Sequence, residues 1–202
     1  MLVIIDYGVG NVRSVTNAFR HIGANISVSC SPNDIRNAKG LILPGVGASG
    51  YAMEKIAPIA ELICGQVRAG KPLLGICLGY QILFDESLEM GRYQCLGLIG
   101  GSVVPVPPGR TIPHMGWNFV EPAAGMRLFD GMDNGKHFAF AHSFYADVRD
   151  NQAKVALTEY EGVNLTAAVE KGNIFGVQFH PEKSGGDGLN VLRNFIQICG
   201  TT

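Results

Sequence analysis

The sequence predicts an α/β protein with a doubly wound, mostly parallel sheet flanked by helices and a smaller antiparallel addition from the second half. Two observations lead to this fold class. In the first half, short apolar runs alternate with helix-length segments, as in parallel sheets covered by helices. After Gly91, proline, glycine and aromatic residues become frequent, and short alternating runs take over. The 27 glycines and 47% hydrophobic residues suit buried strands joined by tight turns.

The first half should contain four strands and two helices in a flavodoxin-like arrangement. The helices are expected at 12–21, capped by Asn11 and closed near Gly23, and around 51–68, where Pro58 should kink or split the helix. The expected strands are Leu2–Asp6, Asn25–Ser29, Gly40–Leu43 and Pro72–Ile76.

The second half should supply antiparallel strands, then a last strand at 174–179 and a final amphipathic helix at about 189–198. The antiparallel candidates are Trp117–Glu121, Phe138–Ala141, Ala153–Tyr160 and Leu165–Glu170. No internal repeat or disordered linker interrupts the chain, so residues 1–202 are expected to form one domain.

Composition excludes several classes of function. The net charge of −1 and the absence of a Lys/Arg cluster argue against binding to nucleic acid or an anionic membrane. The five cysteines form no CxxC pair and have no histidine at metal-ligand spacing, so neither a disulfide framework nor a metal site is expected. The start "MLVIIDYGVG" lacks a signal-peptide pattern and no apolar run is long enough to span a membrane, which predicts a soluble, cytoplasmic protein.

The stretch "GICLGYQ" at 75–81 places Cys77 between two glycines, after an apolar strand and before a helix. This is the GxCxG form of a nucleophile elbow, where glycines make room for a sharp turn that exposes the nucleophile. The start of the helix near Leu78 would favour the thiolate, and its first amide would stabilise an oxyanion. The alternative is a small buried cysteine in a glycine-rich turn.

A partner for the cysteine is available at the end of the last strand, in "FHPE". His180 would emerge at the same sheet edge, and Glu182, two residues on, would point to the same side in an extended chain that Pro181 keeps from becoming helical. A carboxylate that orients an imidazole completes a triad. The alternative is an ordinary turn with a surface carboxylate. His21 and His137 are expected to be surface or capping residues.

These motifs resemble those of the class I, triad-type glutamine amidotransferases. "DYGVGNVRSV" at 6–15, "LPGVG" at 43–47, "PHMGWN" at 113–118 and "HPEKS" at 180–184 are more specifically similar to the glutaminase subunits of imidazole glycerol phosphate synthases. The resemblance runs from the first strand to the last. Tyr80, where the family usually carries Met, the stretch "AHSFYA" at 141–146 and the proline-rich loop before His114 depart from the family pattern.

The resemblance implies a role for each matching residue. Cys77 would be the nucleophile, His180 the general acid and base, and Glu182 its orienting partner. The other implied positions are oxyanion donors at Leu78, Val46 and Gly47, glutamine contacts at Gln81, Ser143 and Phe144, and partner contacts at Asn11, Met115, Trp117, Asn118 and Lys183. For the "PGVG" loop the alternative is a plain strand-to-helix turn, and for Trp117 it is a buried structural role.

The implied reaction hydrolyses L-glutamine to glutamate and ammonia without a metal or organic cofactor. The implied partner is a (β/α)8-barrel cyclase subunit, which uses the ammonia to make imidazole glycerol phosphate and AICAR in histidine biosynthesis. Three alternatives stay open: a glutaminase serving pyridoxal phosphate, anthranilate or GMP synthesis; an elbow-cysteine stress protein or peptidase on a similar sheet; and a non-catalytic scaffold.

Overall fold

The computed structural model describes residues 1–132 and 135–200, and in this part of the chain thirteen strands alternate with five α-helices. The strands are β1 (Leu2–Ile5), β2 (Ile26–Ser29), β3 (Gly40–Gly45), β4 (Leu73–Cys77), β5 (Phe84–Ser87), β6 (Tyr93–Gln94), β7 (Ile99–Pro105), β8 (His114–Pro122), β9 (Lys136–His142), β10 (Phe144–Val148), β11 (Lys154–Tyr160), β12 (Val163–Lys171) and β13 (Ile174–Val177). The helices are α1 (Val12–His21), α2 (Pro32–Asn37), α3 (Ser49–Arg68), α4 (Leu78–Gln81) and α5 (Gly185–Ile198).

Nine strands form the larger sheet, in the order β2-β1-β3-β4-β13-β12-β11-β8-β9. The pairings from β2 to β13 are parallel, and those from β13 to β9 are antiparallel. The predicted fold class is confirmed: the first half of the chain and β13 build the parallel part, and the second half adds the antiparallel strands. A second sheet of four strands, in the order β10-β7-β5-β6, was not predicted.

Helices cover both faces of the parallel strands because alternate strand residues point to opposite sides. Leu2 and Ile4 of β1 belong to the core cluster that includes buried residues of α1 and α5. Val3 and Ile5, between them, belong to the cluster that includes buried residues of α3. A doubly wound sheet with two cores results.

Two local features differ in detail from what the sequence suggests. Pro58 does not split α3, which runs without interruption from Ser49 to Arg68. Pro58 and Glu54, whose carbonyl loses its helical partner, are both exposed, so water can satisfy that carbonyl. The helix after Cys77 is a single turn that ends at Gln81, and the chain then enters β5. A helix this short supplies unpaired amides but only a small dipole.

Glycines let β3 pack directly against the turn that follows β4. A methyl group on Gly79 would overlap the carbonyl oxygen of Leu43 in β3. A methyl group on Gly45 would lie 2.8 Å from both the Gly79 nitrogen and Leu78 Cβ. The glycines of the elbow motif are therefore required by backbone contact, and this contact fixes the position of residue 77.

We expect Gly79→Ala to lower the free energy of unfolding by about 3 kcal/mol or more, because backbone atoms cannot move aside for the new methyl group. Gly65→Ala is the matched control, since Gly65 lies on an exposed position of α3 with open space around it. It should raise stability by up to about 1 kcal/mol. Urea unfolding of both variants tests this, and equal effects would show that the contact at Gly79 is not tight.

Candidate active site

Cys77 lies at a strained turn between β4 and α4. It is the last residue of β4 and the N-cap residue of α4, with φ +55° and ψ −111°. A positive φ is unfavourable for a residue with a Cβ, and such strain is found where a side chain must be held in a particular direction. Leu78 is the first residue of the helical turn, so its amide has no intrahelical acceptor and is available to a bound oxyanion.

The chain places His180 beside Cys77. Both line one cleft of about 430 Å³. The parallel register of β4 and β13, with Ile76 opposite Val177, brings the two strand ends to the same edge. His180 Nδ1 lies 2.9 Å from Glu182 Oε1, and the two side chains are 5% and 1% exposed. The predicted cysteine, histidine and glutamate are thus brought together.

The contact between His180 and Glu182 arises differently from the expected extended spacing. Residues Pro181–Lys183 form a 3-10 turn that begins directly after His180. Proline is favoured at the first helical position, where its missing N–H has no acceptor to lose. The turn, rather than an extended strand end, directs the carboxylate to the imidazole.

The environment of His180 favours its protonated form. Burial by itself lowers the pKa of His180, but hydrogen bonds to Cys77 and Glu182 and the negative charges of both outweigh burial and raise this pKa to about 10. An imidazolium beside the sulfur stabilises a thiolate, which is the nucleophilic form of cysteine. Glu182 Oε2 is buried and has no hydrogen-bond partner among the described residues.

The loop after β3 forms another side of the cleft. Val46 and Gly47 both line it, and Gly47 has φ +103° with open space where a side chain would be. The end of β3, from which this loop starts, is held in place because the Tyr7 hydroxyl donates to the Pro44 carbonyl at 2.9 Å. Burial, and to a smaller extent the charge of Cys77, raises the pKa of Tyr7 and keeps it a donor.

The opposite wall combines Gln81 with the segment between β9 and β10. Ser143 and Phe144 line the cleft, as does Gln81. Gln81 Nε2 donates to the Phe144 carbonyl at 2.8 Å and to Gln178 Oε1 at 3.0 Å. These bonds fix the Gln81 amide next to the elbow.

Sequence reasoning missed Glu89 and Gln178, which both belong to this site. Glu89 lines the cleft, and its Oε2 accepts hydrogen bonds from the Ser49 amide at 2.8 Å and the Ser49 hydroxyl at 3.0 Å. Gln178 is fully buried, and its Nε2 lies 3.9 Å from Cys77 Sγ. Glu89 follows a strand that the sequence did not predict, so no pattern of alternating apolar residues indicated a site there. Gln178 lies two residues before His180 and could have been noticed on that spacing.

The residues predicted to face a partner lie at different places. Met115 and Lys183 line the cleft, and Trp117 and Asn118 line a neighbouring cavity over the outer side of β8. Trp117 is 57% exposed, so the alternative of a buried structural tryptophan is wrong. Asn11 caps α1 by accepting from the Ser14 amide at 3.4 Å, which gives it a structural role in addition to any contact.

Two histidines that received no prediction are buried next to the cleft. His114 and His142 are 0% and 6% exposed, whereas His21 and His137 are exposed as expected. Burial lowers the pKa of His142 to about 3, and the positive charges that His114 and His180 would carry oppose its protonation further, although its bond to the Phe144 carbonyl acts the other way. His142 is therefore neutral at physiological pH.

No metal site accompanies the cleft within residues 1–132 and 135–200, where no three His, Cys, Asp or Glu side chains are grouped to hold an ion. Of the helices in that same part of the chain, none is long and apolar enough to cross a membrane.

Comparison with known proteins identifies close relatives over the whole chain. Residues 3–199 match the family model for class-I glutamine amidotransferases. A Methanothermobacter thermautotrophicus protein named imidazole glycerol phosphate synthase subunit HisH is 50% identical over 198 residues, covering 98% of both chains. A protein of the same name from Caldanaerobacter subterraneus subsp. tengcongensis is 42% identical over 200 residues, again covering 98% of both chains.

Solved structures share the fold at lower identity. A crystal structure described as a glutamine amidotransferase has a TM-score of 0.79 at 21% identity, covering 98% of this chain and 99% of that chain. The structure of PurLQS from Thermotoga maritima has a TM-score of 0.75 at 22% identity, covering 98% of this chain and 97% of that chain.

The low pKa of His142 predicts a loss of stability in acid. The unfolded chain takes up this proton near pH 6.5 and the folded chain only near pH 3, so the stabilisation is present above pH 6.5 and is lost as the pH falls toward 3. Between pH 7 and 5, wild type should lose about 2 kcal/mol more than His142→Asn in urea unfolding. Identical pH dependence of the two proteins would show that His142 titrates normally.

Proposed function

This chain belongs to the class-I glutamine amidotransferase family, and we propose that it is the glutaminase subunit of an imidazole glycerol phosphate synthase. The observation that carries the activity is the meeting of Cys77 and His180 at one cleft, with Glu182 bonded to His180. The specific enzyme is supported by the relatives of that name, which are 42% and 50% identical over nearly the full chain. Glutamine is then the substrate, and the product ammonia serves histidine biosynthesis.

In the first half of the reaction, the Cys77 thiolate attacks the side-chain carbonyl carbon of glutamine. The Leu78 amide and the loop at Val46 and Gly47 stabilise the oxyanion. The His180 imidazolium gives its proton to the departing nitrogen, the C–N bond breaks, and ammonia leaves behind a thioester.

In the second half, neutral His180 takes a proton from water as the oxygen attacks the thioester carbon. The C–S bond breaks, which restores the thiolate and the imidazolium and releases glutamic acid, which ionises in solution. Glu182 holds the imidazole ring and stabilises its charge in both halves. Each step uses groups already in the cleft, so the chain's own residues suffice for hydrolysis.

Recognition of the amino acid end of glutamine requires a negative group and hydrogen-bonding groups. Glu89 supplies a carboxylate for the α-ammonium, and its position is set by two bonds from Ser49. Gln81, Ser143 and Phe144 form the opposite wall. This assignment adds Glu89 to the residues implied by the family resemblance.

The ammonia must pass directly to a second protein, because water at neutral pH converts free ammonia to ammonium. The proposed recipient is a (β/α)8-barrel cyclase in the cytoplasm. Its docking surface comprises Asn11, Met115, Trp117, Asn118 and Lys183. Met115 and Trp117 are large apolar side chains that are 69% and 57% exposed, as is typical of anchors for a partner.

Cys77→Ala tests the proposal in the assembled enzyme. The variant should lose glutamine-dependent formation of imidazole glycerol phosphate, by at least about 1,000-fold, because no other group can form the thioester. Synthesis from added ammonium salt should be unchanged, since the cyclase is intact. Glutamate release and product formation with a cyclase and its nucleotide substrate are the measurements.

Two results would contradict this proposal. Retained glutamine-dependent synthesis in Cys77→Ala would exclude Cys77 as the nucleophile. Failure of wild type to support the cyclase, together with support of pyridoxal phosphate, anthranilate or GMP synthesis, would assign the chain to another glutaminase. Cys30→Ala, which changes an exposed cysteine away from the cleft, is the matched control and should behave as wild type.

Glu89→Gln should raise KM for glutamine about ten-fold or more, with a smaller effect on kcat, because a charged hydrogen bond to the substrate ammonium is lost. Glu54→Gln, on the exposed face of α3, is the control and should leave both constants unchanged. Steady-state glutaminase assays decide the matter. An unchanged KM in Glu89→Gln would mean that the ammonium binds elsewhere.

A further inference from the structure

A continuous chain of hydrogen bonds joins the proposed docking surface to the wall of the glutamine cleft. His114 on β8 and His142 on β9 are direct register partners, and their rings are bonded through His114 Nδ1 and His142 Nε2 at 2.8 Å. His114 Nε2 lies 3.0 Å from Asn118 Oδ1, and His142 Nδ1 lies 2.9 Å from the Phe144 carbonyl. We call these four groups the relay.

Both ends of the relay are hydrogen-bond acceptors. The Phe144 carbonyl can only accept. Asn118 Nδ2 donates to the Glu159 carbonyl at 2.9 Å, which leaves the acceptor Oδ1 facing His114. Three contacts between two acceptors therefore require three N–H protons on the two rings.

Two neutral imidazoles carry only two such protons. Burial lowers the pKa of both His114 and His142, so the pair does not take up a third proton near neutral pH. One of the three contacts must then lack a proton. At that contact, two lone pairs of nitrogen or oxygen face each other. When Asn118 keeps its bond to Glu159 and Oδ1 accepts from His114 Nε2, this shortage falls on the middle contact or on the contact to Phe144.

Half a turn of the Asn118 amide removes the shortage. Asn118 Nδ2 would then donate to His114 Nε2, His114 Nδ1 to His142 Nε2, and His142 Nδ1 to the Phe144 carbonyl. The bond to the Glu159 carbonyl would be given up in exchange. Asn118 is half-buried and lines a cavity beside the exposed Trp117, where a docked protein could stabilise either orientation.

The Phe144 carbonyl is the point where the relay meets the site. It also accepts from Gln81 Nε2 at 2.8 Å, and Gln81, Phe144 and His142 line the cleft together with Cys77. Resting on the proposed function, we propose that His142 and His114 are positioning residues, through which the orientation of the Asn118 amide sets whether His142 holds the Phe144 carbonyl at the glutamine site.

The relay makes a spectroscopic prediction that needs no enzyme activity. In full-length protein with ¹⁵N-labelled histidine and a Cys77→Ala background, Asn118→Leu removes the acceptor at the outer end. His114 should move its proton from Nε2 to Nδ1, and His142 should become a full Nδ1–H donor, both visible in the imidazole ¹⁵N shifts. Asn164→Leu is the control, since Asn164 lines the same outer cavity but has no bond to His114.

A second variant keeps the test informative if Asn118→Leu disturbs β8. His114→Phe preserves the stacking of this position against Phe140 and Tyr160 but cuts the relay. His142 should then be an Nδ1–H donor whether residue 118 is Asn or Leu. The effects of His114→Phe and Asn118→Leu on the ring protonation of His142 should therefore not add. Unchanged ring protonation of His114 and His142 in Asn118→Leu, or equal changes in Asn164→Leu, would overturn the relay.

Kinetics of chains with Cys77 intact, assembled with a cyclase and its nucleotide substrate, provide the functional readout. Asn118→Leu should lower KM for glutamine about three-fold with kcat within about two-fold, because His142 then donates fully to Phe144. Asn164→Leu should leave both constants unchanged, and an unchanged KM in Asn118→Leu despite the shift in ring protonation would overturn the link to the site. If wild type in this complex does not hydrolyse glutamine, the proposed function fails, while the ¹⁵N spectra still decide whether the relay exists.

Discussion

The parallel pairing of β4 with β13 is the constraint on which the site depends. Cys77 and His180 are far apart in sequence, yet this register places their strand ends side by side. Gly75 and Gly176 are directly opposite each other in the pair. A methyl group on Gly75 would collide with the backbone of Gly79 and Tyr80, and one on Gly176 would collide with the Tyr80 ring. The fully buried Tyr80 ring therefore occupies the space that Gly176 leaves, and it packs edge-on against Phe84. Replacing a smaller side chain by tyrosine at this position affects packing beneath the elbow and not the lining of the cleft.

The antiparallel extension supplies what the parallel strands lack. The elbow and the triad lie at the ends of β4 and β13. The opposite wall of the cleft is formed by the end of β9 and the start of β10. The two parts are tied together where His180 donates its amide to the Ala139 carbonyl, and where the Ser184 hydroxyl joins the His180 carbonyl to the Ala139 amide. A displacement of β9 relative to the rest of the larger sheet would therefore shift His180. This arrangement explains how a protein docked on β8 could influence chemistry at the other end of the hydrogen-bonded strands.

Local signals in the sequence predicted the elbow, the cap at Asn11 and the histidine at a strand end, because neighbouring residues determine each of them. Glu89, Gln178 and the paired His114 and His142 escaped prediction, since their roles depend on pairings between distant strands. The four-stranded sheet was missed for the same reason. Pro58 misled because its effect on α3 depends on solvent exposure, and Pro181 misled because it can begin a 3-10 turn as well as prevent a longer helix. The structure places Cys77, His180 and Glu182 together, but by a 3-10 turn and not by the extended spacing that the sequence suggested.

The central claim is that Cys77 and Glu182 together hold His180 as an imidazolium in the resting protein. Titration of His180 by NMR tests it most directly, in wild type, Glu182→Gln and Cys77→Ala. The account predicts a pKa of about 10 in wild type and a clearly lower pKa in each variant, because each removes a hydrogen bond and a negative charge that oppose the effect of burial. A wild-type His180 that titrates near 6.5, unchanged by either substitution, would contradict the account.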